Sequence, residues 1–362
     1  LELTEEVSSF TFEDVPEGCV PSYLRGFSAP VELRCARTHE EYAFQMANDS
    51  DSFNRWEAGQ QFAVELLIGM VEAIARGEEP TLAPAFIDAW GKVLCDEELD
   101  PALVSLALAM PAESYLSERF EVLDPGHVHD AREAARKQLA RAHAGALREV
   151  RARCYTGAPY SADKESVAKR KLANTCLAYL STLEEAEDVA ACVSQFDAAD
   201  NMTDSVAALM CLCDGADEER DAALSSFYER WKEEPLVIDK WFALQAVSDR
   251  GDTVERVMTL SQHPDFTLKN PNRARSLLGH FGMANAAHFH RPDGAGYRFL
   301  TDHLIEMDSL NPQIASRLVT PLLKWKSLEP ARRALMKAEL ERIAAKEDLS
   351  KDVREKVGKA LA

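Results

Sequence analysis

From about residue 40 onward, the chain carries one kind of punctuation, the kind that starts helices. Asp124-Pro125 opens a long amphipathic run, and Thr203 precedes Asp204 to Cys213. Asn270-Pro271 and Asn311-Pro312 open two further runs, and Ser350 opens the last. An Asn, Asp or Ser side chain can accept a bond from an unpaired first-turn N–H, and Pro fits the first helical position, where that N–H has no partner anyway. The pattern predicts roughly fourteen helices joined by short links, with no strand between them. The two Asn-Pro pairs stand 41 residues apart, the length of a HEAT or armadillo helical hairpin. The expected fold class is therefore mainly α, a HEAT/armadillo-like superhelical solenoid rather than a compact bundle. Such a fold offers a curved surface or a bowl. That suits binding or enclosing and implies no chemistry by itself.

Residues 1 to about 36 read differently. Ser9 to Val15 alternates apolar and polar residues, as does Val31 to Cys35, and Pro16, Gly18, Pro21, Gly26 and Pro30 punctuate the segment. This is strand patterning. Two or three strands form no stable sheet alone, so residues 1–36 are expected to be the end of a β-domain and residues 37–362 the helical domain. The chain starts on Leu1 without an initiator Met, which makes a fragment the natural expectation.

Hydrophobic residues make up 46% of the chain, enough for a sizeable core. Lys plus Arg total 41 against 61 for Asp plus Glu, a net charge of -20. Such a surface repels phosphate backbones, so no nucleic-acid partner is expected. The densest basic run, Arg132 to Arg153, falls largely off the apolar stripe Val128, Ala131, Ala135, Leu139, Ala142, Ala146 and Val150. It reads as a solvated helix face. No run of 18 apolar residues and no basic, apolar leader occurs, so neither membrane nor export is expected. The eight cysteines include no CxxC pair. They read as buried free thiols of a reducing, cytoplasmic protein.

Motifs for chemistry are missing. His127-Val128-His129 and His288-Phe289-His290 are HxH pairs, but neither has a Cys or carboxylate at metal-binding spacing. They read as chance surface histidines. HExxH, GxSxG, the P-loop and GxGxxG are all absent. On motifs alone the chain has no catalytic residues and no metal ligands, and a non-enzymatic α-solenoid scaffold for a protein partner is one reading.

Longer strings point further. Phe53-Asn54-Arg55-Trp56-Glu57-Ala58, Asp200-Asn201-Met202-Thr203-Asp204, Asp239-Lys240-Trp241-Phe242, Asn270 to Leu277, Asp293 to Tyr297 and Asn311 to Leu318 follow one another in order. Together they closely resemble the C-terminal part of the aminopeptidase N (alanyl aminopeptidase) family of bacteria and apicomplexan parasites. The resemblance covers essentially the whole chain, and Arg25 to Val31 resembles the end of that family's small β-sandwich. It implies a zinc metallopeptidase parent that removes N-terminal residues from peptides. This chain would be its right-handed α-helical closing domain, partnered by the catalytic domain of the same chain and by peptide substrates. Zinc, its ligands and the general base would lie upstream. Gly282-Met283-Ala284-Asn285 looks superficially like the family's Gly-Ala-Met-Glu-Asn loop but lacks its Glu.

Three positions carry over as substrate-binding. Gln313 matches a position lining the pocket for the substrate's first side chain. Arg275 and Arg317 match arginines facing the primed side of the channel. Gln313 and Arg317, as i and i+4, share a helix face. Bridging between packed helices is the competing reading for Arg273, Arg275 and Arg317.

Overall fold

The computed structural model describes residues 4–31 and 33–362. Among these residues there are nineteen α-helices, from His39–Asn48 to Lys351–Leu361, and no strand. The excess over the expected number comes from short helices such as Glu113–Ser117 and Ala286–Phe289. One or two turns are too short to show a 3.6-residue period.

The helix starts work as their residues dictate. Asp124 accepts from the Gly126 N–H, Asn270 from the N–H groups of Asn272 and Arg273, and Asn311 from that of Ile314. Ser350 accepts from the Val353 N–H. One start lies earlier than expected. Asn201, not Thr203, is the cap of Met202–Cys213, because its side chain reaches the Asp204 N–H. Thr38 and Glu41 form a reciprocal capping box at the first helix.

Expected strands at 9–15 and 31–35 do not form among the described residues; Glu32 lies outside them. Alternation supplies a face but no partner, and no extended neighbour runs alongside. Side chains anchor the segment instead. Arg25 Nη1 reaches Asp49 at 2.7 Å, the Gly26 N–H reaches Asp51 at 3.0 Å, and Asn54 Nδ2 reaches the Tyr23 carbonyl at 2.6 Å. The described residues hold a single parallel bridge, Leu123 with Leu328.

Pro125–Cys154 is the organising helix. Val128, Ala131, Ala135, Leu139, Ala140, Leu147 and Val150 are buried on it. The expected stripe fails at Ala142, which is exposed, and Ala146, which is half-buried. His143 explains this, for its backbone leaves helical values (φ -123°, ψ 21°) and re-phases the second half. Its Nε2 meets the Ile87 carbonyl at 2.9 Å, and its ring stacks on Trp90. The basic residues of this helix are not simply solvated. Arg136 reaches Glu133 at 2.7 Å and the Ala178 carbonyl at 2.9 Å. Arg148 binds Glu185, Glu187 and Asp188, and Arg153 binds Glu97. Arg136 and Arg148 thus bridge to neighbouring helices.

Ser52–Ala75 is long and apolar enough to span a membrane by length and composition alone. Here it is a packed core helix, with Phe62, Leu67 and Met70 buried. The superhelix also closes on itself. The Leu123 N–H donates to the Ser327 carbonyl at 2.8 Å, and Arg332 reaches Asp124 at 2.9 Å across 208 positions. A half-open cavity of about 1910 Å³ is lined by residues between Glu113 and Ala286.

Candidate functional site

Two Asn-Pro helices carry the expected substrate residues. Pro271–Ala274 continues through a π-helical turn, Arg275–Gly279, into His280–Ala284. Pro312–Leu318 packs against that turn. At Gly279 an added methyl would make only an ordinary van der Waals contact across the seam, 3.8 Å from Leu318 Cδ2. Arg275 and Arg317 therefore flank one helix seam. The π turn starts at Arg275, and such turns recur at functional sites.

The neighbouring arginines have opposite fates. Arg273 is buried; its Nε donates to Asp239 at 2.6 Å, and its guanidinium lies 4.9 Å over the Phe242 ring. It also donates to the carbonyls of Asp265 and Pro235. Arg273 is thus a helix-bridging residue. Arg275, Gln313 and Arg317 are all exposed. Arg275 folds back on its own first turn, donating to the Pro271 carbonyl at 3.2 Å and to Asn272 Oδ1. Among the described residues no carboxylate pairs with Arg275 or Arg317. The arrangement is two uncompensated guanidiniums beside one amide, able to grip carboxylates or peptide carbonyls.

A second constellation escaped the sequence reading. The HxH pairs are not chance surface histidines, because Asp249 gathers one histidine from each. His129 Nε2 lies 2.7 Å from Asp249 and its Nδ1 lies 2.9 Å from Glu113. His288 Nε2 lies 3.6 Å from the same Asp249 oxygen. Burial works against the His129 imidazolium, but the bonds and charges of Asp249 and Glu113 outweigh it and push its pKa up to about 10. Burial would raise Asp249, yet His129 and His288 hold it below the usual carboxylate range. Burial, with Arg332 beside it, pulls His290 down to about 3. Asp249 and His129 line the cavity and tie its two walls together. No local spacing could have shown this, since 120 residues separate them.

Neither constellation resembles a zinc site. Among the described residues, three potential ligands converge only at Glu185, Glu187 and Asp188. All three are carboxylates already bound by Arg148. Structural zinc prefers Cys and His donors, so this set does not fit it.

Comparison with known families decides the lineage. A family model described as DUF3458_C, a domain of unknown function with ARM repeats, matches residues 39–362. The chain belongs to the DUF3458_C family. Its ARM-repeat description agrees with the expected solenoid. Related aminopeptidase N proteins are 41% identical in Caulobacter vibrioides over 97% of this chain and 38% identical in Escherichia coli over all of it. That of Haemophilus influenzae is 36% identical over 100% of the chain. The chain spans only 40%, 42% and 41% of these three relatives. The crystal structure of Legionella pneumophila aminopeptidase A in complex with aspartic acid superposes with a TM-score of 0.83 at 29% identity. That match covers 94% of this chain and 40% of the other. The resemblance to aminopeptidase N read from the strings above is borne out.

Proposed function

We propose that this DUF3458_C chain is the C-terminal closing domain of a zinc aminopeptidase that removes N-terminal residues from peptides. The observation carrying this is full-length similarity to aminopeptidase N proteins of which the chain spans about two-fifths, in a sequence without HExxH. Peptide-bond hydrolysis and zinc belong to the rest of the parent chain. This domain supplies walls and contacts, and no step of the reaction runs through its own residues.

On this reading Gln313 lines the pocket for the substrate's first side chain, and Arg275 and Arg317 contact the residues after the scissile bond. Their exposure, their lack of acidic partners among the described residues and their place along one seam support those roles. Residues 1–36 are the end of a preceding β-domain. Exposed Phe12 and Phe27 are side chains its remaining strands would cover. A cytoplasmic location accords with the eight free thiols.

The test of the site uses the full-length parent. Arg317→Ala should lower kcat/KM for a tetrapeptide about tenfold, the size of one lost charge-assisted hydrogen bond. An aminoacyl reporter without residues beyond the scissile bond should change less than about twofold. Equal losses on both substrates would make Arg317 a structural residue.

A further inference from the structure

Arg275 is exposed, yet its side chain is held. Nε donates to the Pro271 carbonyl at 3.2 Å, and Nη2 donates to Asn272 Oδ1. These acceptors lie four and three positions back, on the same side of one helical turn. Arg317, the other exposed arginine of the seam, has no such side-chain anchor among the described residues. Nε and Nη2 make one edge of the planar guanidinium. With that edge occupied, both hydrogens of Nη1 and one of Nη2 remain. They form the end-on edge, which grips a carboxylate or a pair of carbonyl oxygens. Both intrachain acceptors are neutral, so they leave the positive charge uncompensated.

The anchor is itself braced. The Asn270 side chain accepts from the Asn272 N–H at 3.0 Å, and the Asn272 carbonyl accepts from Ser276 Oγ at 2.8 Å. On the other side, the Arg275 carbonyl accepts from the His280 N–H, and His280 Nδ1 lies 3.1 Å from that oxygen. The main chain is thus fixed before and after Arg275, and the Asn272 amide oxygen settles where the side chain goes. An unanchored arginine would lose more rotamer freedom on gripping the same ligand.

We propose that Asn272 is a positioning residue for Arg275, leaving its Nη1–Nη2 edge free to bind a carboxylate or main-chain carbonyls of a peptide beyond the scissile bond. The proposal rests on the reading of Arg275 as a substrate contact. Asn272 acts only through Arg275. Its loss should therefore raise KM for peptides that reach Arg275 and leave kcat nearly unchanged.

The test is a double-mutant cycle in the full-length parent, with kcat and KM measured for a tetrapeptide and for an aminoacyl reporter. Arg275→Ala should lower kcat/KM for the tetrapeptide about tenfold. Asn272→Ala should lower it about threefold, through KM, and change the reporter less than about twofold. In the Arg275→Ala background, Asn272→Ala should have no further effect, because the group it positions is gone. Loss of tetrapeptide turnover with Arg275→Ala but not with Asn272→Ala would overturn the positioning role alone. So would an Asn272→Ala loss that persists in the Arg275→Ala background or falls equally on the reporter. An Arg275→Ala parent with unchanged tetrapeptide kinetics would overturn the substrate role of Arg275, and the proposal with it.

Discussion

Replacing Arg273 with Ala is expected to destabilise the chain by about 3–5 kcal/mol, the range for removing one partner of a buried ion pair. The side chains of Arg273 and Asp239 are 6% and 11% exposed, and their contact is 2.6 Å. Removing the guanidinium leaves the Asp239 carboxylate buried without its partner. It also strips a donor from the carbonyls of Asp265 and Pro235 and opens the face of Phe242. The cost comes from these uncompensated groups more than from lost attraction. Urea unfolding should therefore show a lower midpoint with an unchanged slope. Adding Asp239→Ala should recover part of the loss, because the orphaned charge goes with it. Arg275→Ala, two residues away but exposed, should stay within about 0.5 kcal/mol. A small effect at Arg273 would mean that water reaches the pair.

The second large effect is expected at Gly296. The first turn of Ala295–Leu310 lies so close to Ala286–Phe289 that a methyl at Gly296 would sit 2.3 Å from the Phe289 carbonyl oxygen. The Phe289 carbonyl carbon and Cα would both be at 3.0 Å. The obstacle is backbone, and it has little freedom to shift. The Phe289 ring is fully buried and packs edge-on against Phe281 and Tyr297. Gly296→Ala should cost about 3 kcal/mol, at the upper end for overpacking. Gly145→Ala, with nothing within 4 Å of the added methyl, should be neutral or slightly stabilising by helix propensity. Comparable losses at both positions in a denaturation series would contradict this packing.

These sites show what the sequence could and could not convey. Helix starts are local, so the Asx-Pro signals at Asp124, Asn270 and Asn311 were readable. Strands need partners, so alternation at Ser9–Val15 predicted a ladder that the described residues do not form. The separate fates of Arg273 and Arg275 were partly legible. Ala274, Leu277, Leu278 and Phe281 are buried at helical spacing. Arg273 borders that stripe, four positions before Leu277, and Arg275 turns away from it. The Asp239 partner was not legible, nor was Asp249 between His129 and His288. Arg273 and Asp239 meet across packed helices 34 positions apart, and Asp249 meets His129 across 120, separations that no local pattern conveys.

The central claim is that this domain closes an aminopeptidase without cutting peptides itself. It is tested most directly by assaying hydrolysis of an alanyl reporter by the 362-residue chain and by its full-length parent, each with zinc and after chelation. Turnover by the parent alone, lost on chelation and restored by zinc, is the predicted result. Zinc-dependent turnover by the isolated chain, or none by an intact, zinc-loaded parent on alanyl or any other aminoacyl reporter, would contradict it.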